Sequence, residues 1–226
     1  MGASGHEVFR DAVRATRAAG LARMRFLPPA QRVDLANAAS DQLRKHGLDG
    51  LAASVSDWRE RRIQGRERDG VSTLPGPDGS IDFARDMCLY ASGPQWRLFA
   101  GTRFYVGQPA GAWEGGEADA IPEDSPFWLL AVVEYATNGA ELGVETVLGT
   151  ACTHYEGVSN FTDARSHGEE RLAPPIVLAD LDLLHMPVDL WLNREGRIRR
   201  ALAREGATLT QIDLWGFGEP DPLVEP

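Results

Sequence analysis

The chain has 226 residues, 43% hydrophobic and 25% charged, the mix of a globular protein long enough to bury a sizeable core. Its charge is uneven: 13 basic against 8 acidic residues up to Arg68, then 10 against 25, for a net −10. Most of the chain therefore repels a phosphate backbone, which argues against nucleic acid as a partner.

In chain order, HEVFRDAVRATRAAG spaces Val8, Phe9, Ala12, Val13 and Thr16 as one helical face, with Gly20 as a stop. LARMRFL alternates, Met24 and Phe26 against Arg23 and Arg25, as a half-buried strand does. AQRVDLANAASDQLRKHG is a second helical pattern, and LDGLAASVSDW adds a shorter one before an arginine-rich stretch. From Val71 the texture changes to turn chemistry and short alternating segments: SIDFA, MCLYA, QWRLFA and RFYVGQP. Within them Ile81 and Phe83, Trp96 and Leu98, and Phe104 and Val106 are same-face pairs of an antiparallel meander.

EDSPFWLLAVVEYA interrupts the meander as an apolar helix. Asp124 or Ser125 is its N-cap, Pro126 stands in its first turn and Asn138-Gly139 closes it. VETVLG and TACTHYEGV then form a hairpin around Gly149. MPVDLWLN, RIRRALA and ATLTQIDLWGFG make a three-stranded meander with two Arg-Glu-Gly turns, each placing a glycine at a left-handed position. The expected fold class is α+β: one long antiparallel sheet served by a few helices.

No nucleotide-binding, zinc-protease or serine-hydrolase motif occurs. Cys152, His154 and Glu156 alternate along one strand and so share a face. Neighbours two apart on a strand stand about 6–7 Å apart, too far for a nucleophile–base hydrogen bond. Asp180, Asp182, His185 and Asp189 have no fixed metal spacing, so no metal site is assigned, and nothing calls for a cofactor. Cys88 and Cys152 form no CxxC pattern; whether they pair is left open. No 18-residue apolar run is present, so no membrane-spanning helix is expected. The opening MGASGHEVFRDAV has no apolar h-region; as it stands the chain is expected in the cytoplasm, or outside it if a leader has been removed.

The stronger signal is apolar. Phe26, Phe83, Trp96 and Phe104 fall on the expected inner face with Leu98, Val188, Leu190 and Leu192, and Trp128 lies on the apolar helix. They either fill a core or wall a ligand cavity, and the pattern alone does not choose.

Several segments together resemble one family. VETVLGTACTHYEGV, then MPVDLWLNREGRIRRALA, then TLTQIDLWGFGEPDPLVEP is similar to the C-terminal end of LolA/LppX-type lipoprotein carriers; the pieces around ATRAAGLARMRF, SIDFA, RFYV and PFWLL agree. The resemblance covers about 180 residues and leaves roughly 29–68 as a helical insertion in a single domain, 1–226. It implies a strongly curved antiparallel half-barrel with helices on its concave side, holding a lipid or another hydrophobic molecule. Phe26, Phe83, Trp96, Leu98, Phe104, Trp128, Leu190 and Leu192 are then the ligand-wall candidates. It carries no catalytic residues. Two other readings stand beside it: a regulatory module using the insertion against a protein partner, and an enzyme of cyclase or isomerase type with Glu134, His154 or Asp189 inside the cup.

Overall fold

In the computed structural model the described residues are 5–28, 79–92, 95–108, 111–122, 124–160, 185–205 and 208–219. The chain opens with helix α1 (Gly5–Arg17) and strand β1 (Leu21–Leu27). A meander follows: β2 (Gly79–Asp82), β3 (Met87–Ser92), β4 (Gln95–Ala100), β5 (Arg103–Gly107) and β6 (Trp113–Glu117). Helix α2 (Pro126–Glu134) then leads into β7 (Ala136–Val147), β8 (Thr150–Asn160), β9 (His185–Leu192), β10 (Ile198–Glu205) and β11 (Thr208–Trp215).

All eleven strands form one open antiparallel sheet, ordered β6-β5-β4-β3-β2-β1-β11-β10-β9-β8-β7. The first and last strands meet in the middle, where Met24 pairs with Leu214 and Phe26 with Ile212. Two meanders are thus joined along β1·β11, and among the described residues β6 and β7 are the outermost strands. This is the expected α+β half-barrel, with the two described helices on the concave face.

Alternation explains which residues face the helices. Ala22, Met24 and Phe26 point inward, as do Met186, Val188, Leu190 and Leu192, and Ile212 and Leu214. Phe9, Ala12 and Val13 of α1 meet them, buried as their helical spacing requires. Thr16 ties this helix to the sheet: its hydroxyl donates to Ala12 O (2.7 Å) and accepts from the Ile198 amide (2.9 Å). At Gly157 the approach is so close that an added Cβ would lie 2.7 Å from the Phe9 ring, so helix and β8 meet at that distance only because the side chain is missing.

Helix α2 starts as its sequence dictates. Ser125 is the N-cap, its hydroxyl accepting from the Phe127 amide, with Pro126 in the first turn. Every residue from Pro126 to Val133 is buried, so this helix has no solvated face. Near its C-terminal end the Val132 carbonyl accepts a hydrogen bond from Ser159 Oγ (2.6 Å).

Asn138-Gly139 does not close α2. The helix ends at Tyr135 and β7 begins one residue later; Asn138, at φ 57°, lies in a strand irregularity between Thr137 and Ala140. The acidic segment at Trp113 is also a strand, the β6 edge, whose Gly115 and Gly116 hide its alternation. Of the two Arg-Glu-Gly turns, the first has Gly196 at φ 72°, as expected; the glycine of the second lies outside the described residues. So do the predicted insertion at 29–68 and Asp180 and Asp182.

Candidate functional site

The concave face is apolar, and aromatic side chains run across it from β1 to β5. Phe26 meets Tyr90 edge-on (5.2 Å between centroids), and Tyr90 lies parallel to Phe99 at 6.0 Å. Phe99 pairs across the ladder with Phe104, whose ring lies over Gly116 of β6. Phe83, Trp128, Leu190 and Leu192 belong to the same core, so the structure brings together six of the eight predicted wall residues.

The other two lie elsewhere. Leu98 is buried on the opposite face with Met87 and Ala100, backed by Leu89, Tyr105 and Trp113; Trp96, two residues earlier on β4, shares that side. The inner-face residues of QWRLFA are Arg97 and Phe99, because Cys88 pairs with Phe99 and Tyr90 with Arg97. Trp96, Leu98 and Phe99 are all apolar, so period-2 reading had two solutions and the wrong one was equally apolar. Tyr90 and Phe99 were thereby missed. The signal was present in MCLYA, where Cys88 and Tyr90 set the inward register.

Among the described residues the two helices cover this face unevenly. Their main contacts with the sheet are to β7, β8, β10 and β11. Towards β4 and β5 the inner face carries Phe104 and Val106, both only half-buried, and Arg97. Arg97 forms an ion pair with Asp124, just before α2, whose backbone carbonyl accepts from Tyr90 Oη (2.6 Å). Burial pushes the Tyr90 hydroxyl far above its ordinary pKa, against the opposing pull of the Arg97 charge. It therefore serves as a neutral donor that ties the α2 approach to the aromatic wall.

The polar residues singled out on β8 lie on the convex face. His154 is buried there, its Nδ1 3.0 Å from Glu145 Oε1 and its Nε2 2.9 Å from Asp189 Oδ1. Its ring stacks on Trp191 at 4.0 Å, and Trp191 Nε1 donates to Glu145 Oε2 (3.0 Å). Asp189 also binds Arg204. With a carboxylate on each ring nitrogen, His154 has no nitrogen left to act as a base for Cys152, whose thiol donates to Thr150 O, and Glu156 is exposed. His154 and Asp189 do come together, but outside the cup, so neither is an acid or base for chemistry within it. Glu134 is half-buried at the end of α2. Among the described residues no group of histidine, cysteine and carboxylate side chains is arranged to hold a metal ion. Cys88 and Cys152 are both free and buried, in the concave core and the convex cluster respectively.

This cluster makes stability depend on pH. Burial disfavours the imidazolium, but the hydrogen bonds and charges of Asp189 and Glu145 outweigh it and raise the His154 pKa. A raised histidine pKa contributes stability that is fully present below the unfolded value, about 6.5, and is lost as pH rises through the folded one. For Glu145, burial is opposed by hydrogen bonds from Trp191 and His154, and the net shift is downward; its contribution is lost on acidification, below the ordinary glutamate range. Urea midpoints should therefore fall between pH 5.5 and 8, and His154→Gln should flatten that slope. An unchanged slope in the variant would assign the pH dependence elsewhere.

With this geometry in view, solved structures supply the comparison. LprF from Mycobacterium bovis superposes with a TM-score of 0.53 at 14% identity, covering 98% of this chain and 96% of that one. Lipoprotein LppX from Mycobacterium tuberculosis gives 0.51 at 12% identity, covering 96% and 97%. The chain has the LppX-type fold. At this identity the likeness is one of fold, and the sequence resemblance is borne out at that level. The LppX-type match extends over nearly the whole length of both chains, as expected of a shared half-barrel architecture. No protein-family model matches the sequence. No curated protein matches it either.

Proposed function

We propose that this chain binds a lipid or another hydrophobic small molecule against the concave face of its half-barrel, without catalysing a reaction on it. The observation that carries the reading is that the run of aromatic side chains extends beyond the main seat of the two described helices. Tyr90 and Phe99 continue it from Phe26, and Phe104 and Val106 are only partly buried where it reaches β5. An apolar surface held between a curved sheet and helices, with a few polar groups at one side, is the usual make-up of a small-molecule site. Arg97, Asp124 and Tyr90 are those polar groups. The LppX-type fold supports the architecture, and LppX itself is a lipoprotein. Trp96 and Leu98 are not part of the proposed wall, because they face the other way.

Phe104→Glu tests the site, since it places a charge on the half-buried part of the wall, at the margin of the packed core. Binding of a fluorescent long-chain fatty acid should weaken by about tenfold or more, with the unfolding midpoint little changed. Equal affinity in wild type and variant would remove Phe104, and the β4–β5 end of the face, from the site.

A further inference from the structure

Along the concave side of β4 the side chains pass from exposed Gln95 through half-buried Arg97 to buried Phe99, so the strand leads from solvent into the core. Among the described strands Arg97 is the one basic residue on that side. Arg23 and Arg25 point outward, and Arg103 pairs with Ala100 of the convex cluster. Arg199, Arg200 and Arg204 face Cys152, Asp213 and Asp189 on the convex side. Arg97 stands between Tyr90 on β3 and Val106 on β5, at the margin of the aromatic wall.

Its guanidinium is only partly used. Asp124 Oδ2 takes Nη1, whereas Nε and Nη2 make no hydrogen bond among the described residues, and neither is a fully buried atom. Those two donors form the edge with which a guanidinium grips a carboxylate or phosphate through parallel bonds. Arg200 uses the same edge on Asp213, at 2.7 and 3.0 Å. On Arg97 that edge is open, and the side chain is 33% exposed, so a ligand can reach it.

From this geometry we infer that the ligand of the cup carries an anionic head, a carboxylate or a phosphate, gripped by Nε and Nη2 of Arg97. Its apolar tail then runs along Tyr90, Phe99 and Phe104. The inference rests on the cup reading above and adds to it the chemistry and direction of the ligand. A neutral ester offers the fork one uncharged carbonyl oxygen, where a carboxylate or phosphate offers two charged ones. The Tyr90 proton is committed to the Asp124 carbonyl and does not compete for the head. Glu114, the acid in the same row, is exposed and two strands away with Val106 between. At ordinary strand spacing that is about 10 Å, a distance at which salt screens its repulsion.

Displacement of the uncharged dye Nile red from the full chain tests it, with oleic acid, oleyl phosphate and methyl oleate as competitors below their aggregation thresholds. Wild type should release the dye to the acid or the phosphate at about tenfold lower concentration than to the ester. Whichever of the two anions leads names the head. Arg97→Gln should bring anion and ester within about twofold of each other, and Arg97→Lys should keep part of the preference, because an ammonium supplies charge without the fork. Asp124→Asn should widen the preference by removing the nearest like charge. The readout is the ratio of anion to ester, since a partial loss of fold lowers both. Equal displacement by all three ligands in wild type overturns the inference and leaves the cup reading standing. So does a preference for the anion that Arg97→Gln retains. No displacement by any of them contradicts the cup reading, and the inference with it.

Discussion

Asp213→Ala should lower the free energy of unfolding by about 3–5 kcal/mol, read as a shift of the urea midpoint at constant slope. Asp213 is fully buried on the convex face, and Arg200 beside it is nearly so. The guanidinium grips the carboxylate with two bonds, Nε to Oδ1 at 2.7 Å and Nη2 to Oδ2 at 3.0 Å. Gln211 Nε2 adds a third at 3.0 Å, and the Arg200 guanidinium also lies over the Trp191 ring at 5.8 Å. Removing the carboxylate takes a bidentate counter-charge from a buried cation, and the desolvation of that cation, more than the lost attraction, sets the size of the effect. The double variant Arg200→Met with Asp213→Leu removes both charges and should recover much of the loss. If the double variant is as unstable as the single one, the pair contributes through something other than charge compensation.

Trp128→Ala should cost a similar amount, about 3–5 kcal/mol, by leaving a void in the concave core. The indole is buried on α2 among Phe127, Leu129 and Leu130, which are buried with it. Trp128→Phe should cost less, because most of the volume stays filled. The position carries a second expectation. If a hydrophobic ligand occupies the space between sheet and helices, the enlarged cup of Trp128→Ala should gain more stability from added fatty acid than wild type does. Thermal midpoints with and without fatty acid separate the two effects. Equal gains would place the bound acyl chain away from Trp128.

Where one face of a strand is apolar and the other charged, the sequence already determined its orientation. LARMRFL could pack only with Met24 and Phe26 inward and its arginines outward, and it does. Ser125-Pro126 before an unbroken apolar run marked the start of α2, and Gly149 marked the hairpin turn. Orientation was not legible where both faces are apolar. On β4, Leu98 and Phe99 are adjacent and both buried, one in each of two separate clusters, so alternation alone could not assign them. The end of α2 was misplaced because a strand follows it without a loop, and Asn138, a natural helix terminator, there serves a strand irregularity. His154 and Asp189 are 35 residues apart, and their meeting depends on the β8–β9 register that pairs Glu156 with Asp189 and His154 with Trp191. No spacing rule within one segment reaches that far.

The central claim is that the concave aromatic face holds a hydrophobic ligand, and organic-solvent extraction of natively purified protein followed by mass spectrometry tests it most directly. A hydrophobic compound in stoichiometric amount, reduced in Phe104→Glu, is the predicted result. An empty extract from wild type, together with no binding of added fatty acids or phospholipids, would contradict it.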